Sequence, residues 1–427
     1  MNSSLLDYIL WRGDLSFEQC EFGEIDASIL AHLAYEHIEG LVSSSFSQGI
    51  TLADLAENFK KTANLRERTS MGYGINPKTP EILYKCGESR RFGGIKVCGL
   101  CENLSEEKNE QFAAMTFVID KTAVIVFRGT DDTVTGWCED LLLAKNPVLP
   151  SHTDGLNYFN KAAAFFKKNL IILGHSKGGT VAVYCAVKTS VAVQKRILAV
   201  YNMDGPGWPK DFYKTDEYKK VENRILSVYP ESDIVGKVFY PTAKYKIIKS
   251  DGVGIQQHDM LNWHCEGNFL CEAEDYTEDS KIFFKSVNEW YENVSEPSRQ
   301  RFIDTLIEIY RASGYKNNFD LMNNKINATK NMLVEYNKLD KETKAVVKKV
   351  LSTLGKVLVS ELPIFNFFRE DFIKLSAKKG VEKIAQIVKE IKMQGTENLP
   401  DSENSKLCLP DNTNNDDEKS SQDDCGE

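Results

Sequence analysis

Short apolar, β-branched runs alternating with amphipathic helical stretches predict an α/β fold: a mainly parallel sheet with helices on both faces. Three observations carry that prediction here. Strand-like runs recur between Gln111 and Ser250, each closed by turn residues. Helical patterns separate most of them. One apolar run, a Gly-rich turn and a helical pattern follow directly on one another in LIILGHSKGGTVAVYCAV.

Taken in order, residues up to about Asn64 form a helical lead-in. IDASILAHLAYEHIEG spaces its apolar residues at helical intervals, and Thr51 stands as N-cap before LADLAENFKK. QFAAMTFVID and KTAVIVFRGT read as a strand hairpin about Asp120-Lys121. DTVTGWCEDLLLA and GLNYFNKAAAFFKKN then read as helices. ILAVYNMD, RILSVYP and KYKIIKS are further strands, and KIFFKSVNEWYENV is another amphipathic helix. After Pro297 the strand signals stop, and Lys-, Asn- and Glu-rich helical patterns continue to about Met393. The expected organisation is a domain over 1–296, a helical extension over 297–394 and a disordered acidic tail over 395–427.

Charge agrees with that division. The net charge is −9, and from Gly395 onward ten acidic residues face only Lys406 and Lys419, which leaves about −1 for the rest. A nearly neutral body has no basic surface for nucleic acid, so no nucleic-acid partner is expected. The first twenty residues lack a basic start, an unbroken apolar run and a small-residue cleavage site, which predicts a cytoplasmic protein. No run reaches the roughly 18 apolar residues of a spanning helix. KETKAVVKKVLSTLGKVL has an apolar face opposite its lysines and would suit peripheral membrane contact as well as a packed helix. Ten cysteines in such a chain are expected as thiols. Cys98 and Cys101 have CxxC spacing without a second pair, so strand cysteines are expected and no metal or cofactor.

The chemistry centres on Gly174-His175-Ser176-Lys177-Gly178, which fits G-x-S-x-G in its strand–turn–helix context. Glycines flank the serine because the chain passes close to itself at a strained turn, which exposes the nucleophile at the carboxyl end of a strand. The Lys177 N–H faces a forming oxyanion, and Thr130, after Phe127-Arg128-Gly129, supplies the second donor through its N–H or hydroxyl. Arg128 reads as a structural ion-pair residue. In this fold the order is serine, acid, histidine. Only His258 and His264 follow Ser176, and His258 lies in the loop directly after KYKIIKS, so it is the expected base. Asp233 and Asp204 both end strands in between. The fold places the acid more often at the later position, which selects Asp233, while Asp204 before Gly-Pro-Gly reads as a turn former. His175 is expected to pack beside the turn. Trp208, Phe212, Tyr213 and Tyr218 are aromatic enough for a lid over an acyl site, or for plain packing under a long loop.

FRGTDDTVTGWCEDL, GHSKGGTVAVYCA, YNMDGPGW, PESDIVG and GIQQHDMLNW occur in this order from about Leu6 to about Gly314, and together they resemble the bacterial Mbeg-like family of lipase-like proteins. That family is itself similar to the fungal-type class-three lipases. The resemblance implies an α/β-hydrolase fold, a Ser176–Asp233–His258 triad, Thr130 in the oxyanion hole and hydrolysis of a small-molecule or lipid ester through an acyl-enzyme. The alternative is a binding or scaffolding module on the same fold. The departure is Lys177, where many of those lipases carry a small residue; a long cation there would meet a negatively charged substrate or an acidic neighbour.

Overall fold

The computed structural model describes residues 3–345 and 347. The acidic tail and two thirds of KETKAVVKKVLSTLGKVL lie outside the described residues.

Eight strands form one sheet in chain order: β1 (Ile50–Thr51), β2 (Lys96–Ser105), β3 (Glu110–Ile119), β4 (Thr122–Phe127), β5 (Asn169–His175), β6 (Ile197–Met203), β7 (Ile225–Pro230) and β8 (Tyr245–Ile248). The first four pair antiparallel, and β4 to β8 pair parallel. The expected hairpin is β3–β4, turned through Asp120 at φ 47°. Cys98 and Cys101 sit on β2 with a register shift between them.

Both faces are covered, so β4 from Ala123 to Phe127 and β5 from Leu170 to Leu173 are apolar at every position. Side chains alternate across a strand. Val124, Val126, Ile171 and Leu173 belong to one core, Ala123, Ile125, Phe127, Leu170 and Ile172 to the other. The first core is closed by α1 (Leu5–Arg12), α2 (Glu24–Leu33), α3 (Leu52–Lys60) and α4 (Thr79–Glu88). Thr51 caps α3 as expected, accepting the Asp54 N–H at 3.1 Å. After α5 (Val134–Leu142), the second core is closed by α6 (Pro150–Phe165) and α7 (Lys177–Lys188).

A third core joins Val134 and Cys138 of α5 to α8 (Glu278–Asn293), α9 (Glu296–Arg311) and α10 (Lys325–Lys338). The described helices after residue 297 thus lie in the same compact unit as the sheet. Their amphipathic faces bury Phe302, Leu306 and Tyr310 against α5 and α8, which leaves no break in packing at 296/297. No described helix is long and apolar enough to cross a membrane.

The lead-in is fixed by one buried ion pair. Arg91 meets both Asp26 oxygens at 2.7 Å, and its other N–H groups reach the carbonyls of Leu15, Ser16, Cys20 and Glu21. Removing one member of such a pair strands the other charge. Arg91→Met is therefore expected to lower unfolding free energy by about 3–5 kcal/mol, checked by urea denaturation.

Candidate active site

β5 runs buried to His175, and the chain then reverses through Ser176, at φ 57° and ψ −134°, into α7. Few non-glycine residues accept that backbone, which stores strain where it is seen. The turn holds because its neighbours hold it. The Ser176 N–H donates to Met203 O at 2.9 Å and Ser176 O accepts the Gly179 N–H at 2.8 Å. The chain passes so near β4 that a β-carbon on Gly178 would lie 2.1 Å from Phe127 O, and one on Gly174 2.2 Å from Gly178 O. Ser176 keeps 9 % of its surface, and it lines a cavity of about 590 Å³.

His258 lines the same cavity, at the end of a short 3-10 turn over Gly254–His258. His264 instead pairs with Asp251 at 2.9 Å. The acid in contact with the imidazole differs from the expected one. Asp204 Oδ2 lies 2.6 Å from His258 Nδ1, whereas the Asp233 carboxyl accepts the Val235 N–H at 2.7 Å. Asp204 directly ends β6, its N–H donates to Val228 O of β7, and its φ of 52° turns the side chain toward the imidazole. Asp233 is close by: one ligand atom from each of Asp204, Asp233 and His258 lies within 4.8 Å of the others. Three such groups are a conceivable metal set. A tetrahedral ion with ligands about 2.0–2.2 Å away would hold them more than 3 Å apart, and the 2.6 Å His–Asp contact is a hydrogen bond.

His175 does more than pack. Its Nε2–H donates to the His258 carbonyl at 2.9 Å, its Nδ1 accepts from Tyr35 OH at 2.9 Å, and its ring lies 4.4 Å from the His258 ring. The carbonyl can only accept, which fixes the tautomer. Burial, reinforced by His258, holds the His175 pKa well below the ordinary value, so the ring is neutral. Burial also lowers His258, against the pull of Asp233, Asp259 and Asp140.

On the oxyanion side the structure narrows the expectation. Thr130 Oγ1 donates to Asp140 at 2.9 Å, so its hydroxyl hydrogen is engaged and its N–H is the donor left. Burial pushes Asp140 up to about 6. Lys177 turns its ammonium into the protein, to Gln111 O at 2.8 Å, Gln111 Oε1 at 2.9 Å and Glu139 Oε2 at 2.5 Å. The acidic neighbour is Glu139, which also accepts the N–H groups of Gln111 and Ser151. Of the two partners expected for the Lys177 cation, the structure shows the acidic neighbour. Arg128 pairs with Glu102 and Asp131, as expected.

Beyond its polar end the cavity is apolar, walled by Trp137 and Leu141 of α5, Phe283 and Trp290 of α8, and Phe302, Ile303 and Leu306 of α9. The Tyr73–Pro77 loop lines it too, tied down by Tyr73 N–H to Asp132 and Asn76 to Asp259. Trp208, Phe212, Tyr213 and Tyr218 are not among the lining residues. They stack on one another and, through Tyr184, on α7, with Trp208 and Phe212 4.2 Å apart.

The profile of the Mbeg1-like family matches residues 86–308, 223 of the 427 and so just over half of the chain. No curated protein matches. Solved structures that resemble it include a mutant form of MDLA from Penicillium cyclopium (10 % identity, 60 % of this chain and 87 % of that one, TM-score 0.33). Others are a fungal lipase (12 %, 62 % and 92 %, 0.31) and lipase II from Rhizopus niveus (16 %, 53 % and 89 %, 0.31). Likenesses this weak carry no argument about the site.

Lys177→Met would leave Glu139 charged and unpaired in the interior. We expect a loss of about 3–5 kcal/mol in urea unfolding, most of it recovered when Glu139→Gln is added.

Proposed function

We propose, from the premise that the chain belongs to the Mbeg1-like family, that it is a serine hydrolase cleaving carboxylic esters of hydrophobic acyl groups. One observation carries the reading. A serine on a strained strand–helix turn shares a cavity with a histidine whose far nitrogen is bonded to a buried carboxylate.

The steps follow from the chemistry of these groups. His258 donates Nδ1–H to Asp204, which leaves the Nε2 lone pair as base. Nε2 takes the Ser176 hydroxyl proton as the oxygen attacks the ester carbonyl. The tetrahedral oxyanion accepts from the Lys177 N–H, unused at the start of α7, and from the Thr130 N–H. The positive end of α7 adds to that stabilisation. Collapse expels the alcohol, which takes its proton from His258, and water repeats the sequence to release the acid. The His175 clamp on the His258 carbonyl keeps the imidazole from turning away. The apolar walls favour an acyl chain, and the polar groups gather at the serine end.

Labelling by a fluorophosphonate probe tests this reading. We expect wild type to label and Ser176→Ala and His258→Ala to fail. His258 must be neutral to act, and burial lowers its pKa, so the rate should hold as pH falls and decline only below the ordinary histidine value of about 6.5. Absence of labelling in folded wild type would favour a binding module. Leu306→Trp should cut cleavage of a p-nitrophenyl octanoate by about tenfold or more relative to the acetate, since a crowded wall discriminates by chain length.

A further inference from the structure

Where β6 and β7 end side by side, two acids meet beneath one imidazole. Asp204 uses Oδ2 on His258 Nδ1, and Asp233 uses Oδ1 on the Val235 N–H. One oxygen of each remains, Asp204 Oδ1 and Asp233 Oδ2; both are buried without a well-formed hydrogen bond, and the Gly236 N–H is the backbone donor beside Asp204. Both side chains are wholly shielded from water. A buried acceptor without a donor is costly, and two buried like charges side by side are costlier. A single proton between the two carboxyls removes both costs at once.

We propose that Asp233 is held protonated and donates that proton in a hydrogen bond to Asp204, making Asp233 a positioning residue behind the His258–Asp204 pair. The proton belongs on Asp233 because Asp204 already accepts from the imidazole, and an ionised carboxylate accepts best. Burial pushes both acids up, and the Asp204 charge pushes Asp233 up further. The nearby cation does not replace the proton. Lys237 lies against the Tyr276 ring, and burial lowers it to about 7. The other groups facing the pair are Tyr229 and Tyr276, neutral phenols raised by burial, with Asp275 beside Lys237 and Asp140 and Asp259 beside the imidazole. The arrangement explains why both strand-end acids are present: one holds the base and the other holds the acid.

The catalytic half of this inference rests on the hydrolase reading, and the test is chosen to separate the two. Asn at 233 can keep its oxygen on the Val235 N–H and place its NH₂ where the shared proton stood; Ala can do neither. Fluorophosphonate labelling of the full chain should therefore fall by less than about threefold in Asp233→Asn but by about 10–100-fold in Asp233→Ala, the range of one hydrogen bond to a charged group. Asp204→Asn should fall by about 10⁴-fold, as when a triad histidine loses its tautomer.

Thermal unfolding supplies a readout that needs no activity. A carboxyl protonated when folded and ionised when unfolded contributes fully below about pH 4 and loses that contribution as pH rises. Asp233→Asn, neutral at every pH, should raise the unfolding midpoint at pH 8 and gain far less at pH 4.5. A midpoint lowered at pH 8, or an Asp233→Asn labelling rate as low as that of Asp204→Asn, would make Asp233 an ionised acid and overturn the proposal. If Ser176→Ala labels as fast as wild type, the hydrolase reading fails, and the pH dependence of the midpoint still decides the shared proton.

Discussion

The crossing of the β5–α7 turn over the end of β4 is the contact on which the rest of the site depends. Gly174 and Gly178 allow the backbone to approach Phe127 more closely than any side chain would permit. That approach fixes three things together. It puts Ser176 at the carboxyl edge of the sheet and starts α7 with its unused N–H groups facing the same point. It also aligns the end of β4, and Thr130 after it, with the end of β5 through their parallel register. The strain at Ser176 is local, and the sheet on both sides over-determines it.

Around that crossing the polar groups sort by what they face. Lys177 and Glu139 spend their charges on each other and on Gln111, behind the turn. His175 bonds to Tyr35 and to the backbone of His258. Much of the cavity's apolar wall comes from α5 and from α8 and α9, helices that follow the last strand of the sheet. A buried charge is tolerable only when its donors and acceptors are met, and here most such groups are met within the protein.

Much of this was legible in the sequence because it is written locally. The strand–turn–helix unit, the β3–β4 hairpin, the Thr51 cap and the order of Ser176 before His258 each need only a short window or a chain order. The acid did not yield to that reasoning. Asp204 and Asp233 both end parallel strands, and which one meets Nδ1 depends on where a 3-10 turn more than twenty residues later sets His258 down. Glu139 as the partner of Lys177, 38 residues away, carries no local sign either. The helices after 297 looked like an appendage because strand signals had stopped. Their apolar stripes do not say what they cover, and the answer, a wall beside Ser176, exists only in three dimensions.

That wall has a consequence in time. Every group proposed to react lies between Thr130 and His258, whereas α8 and α9 span residues 278 to 311. A chain emerging from the ribosome holds the whole reacting set before α8 and α9 have closed their side of the cavity. Until those two helices emerge and dock, the side of the cavity that Phe283, Trp290, Phe302 and Leu306 close stands open to water. Newly made protein would thus acquire the chemistry first and the selectivity last.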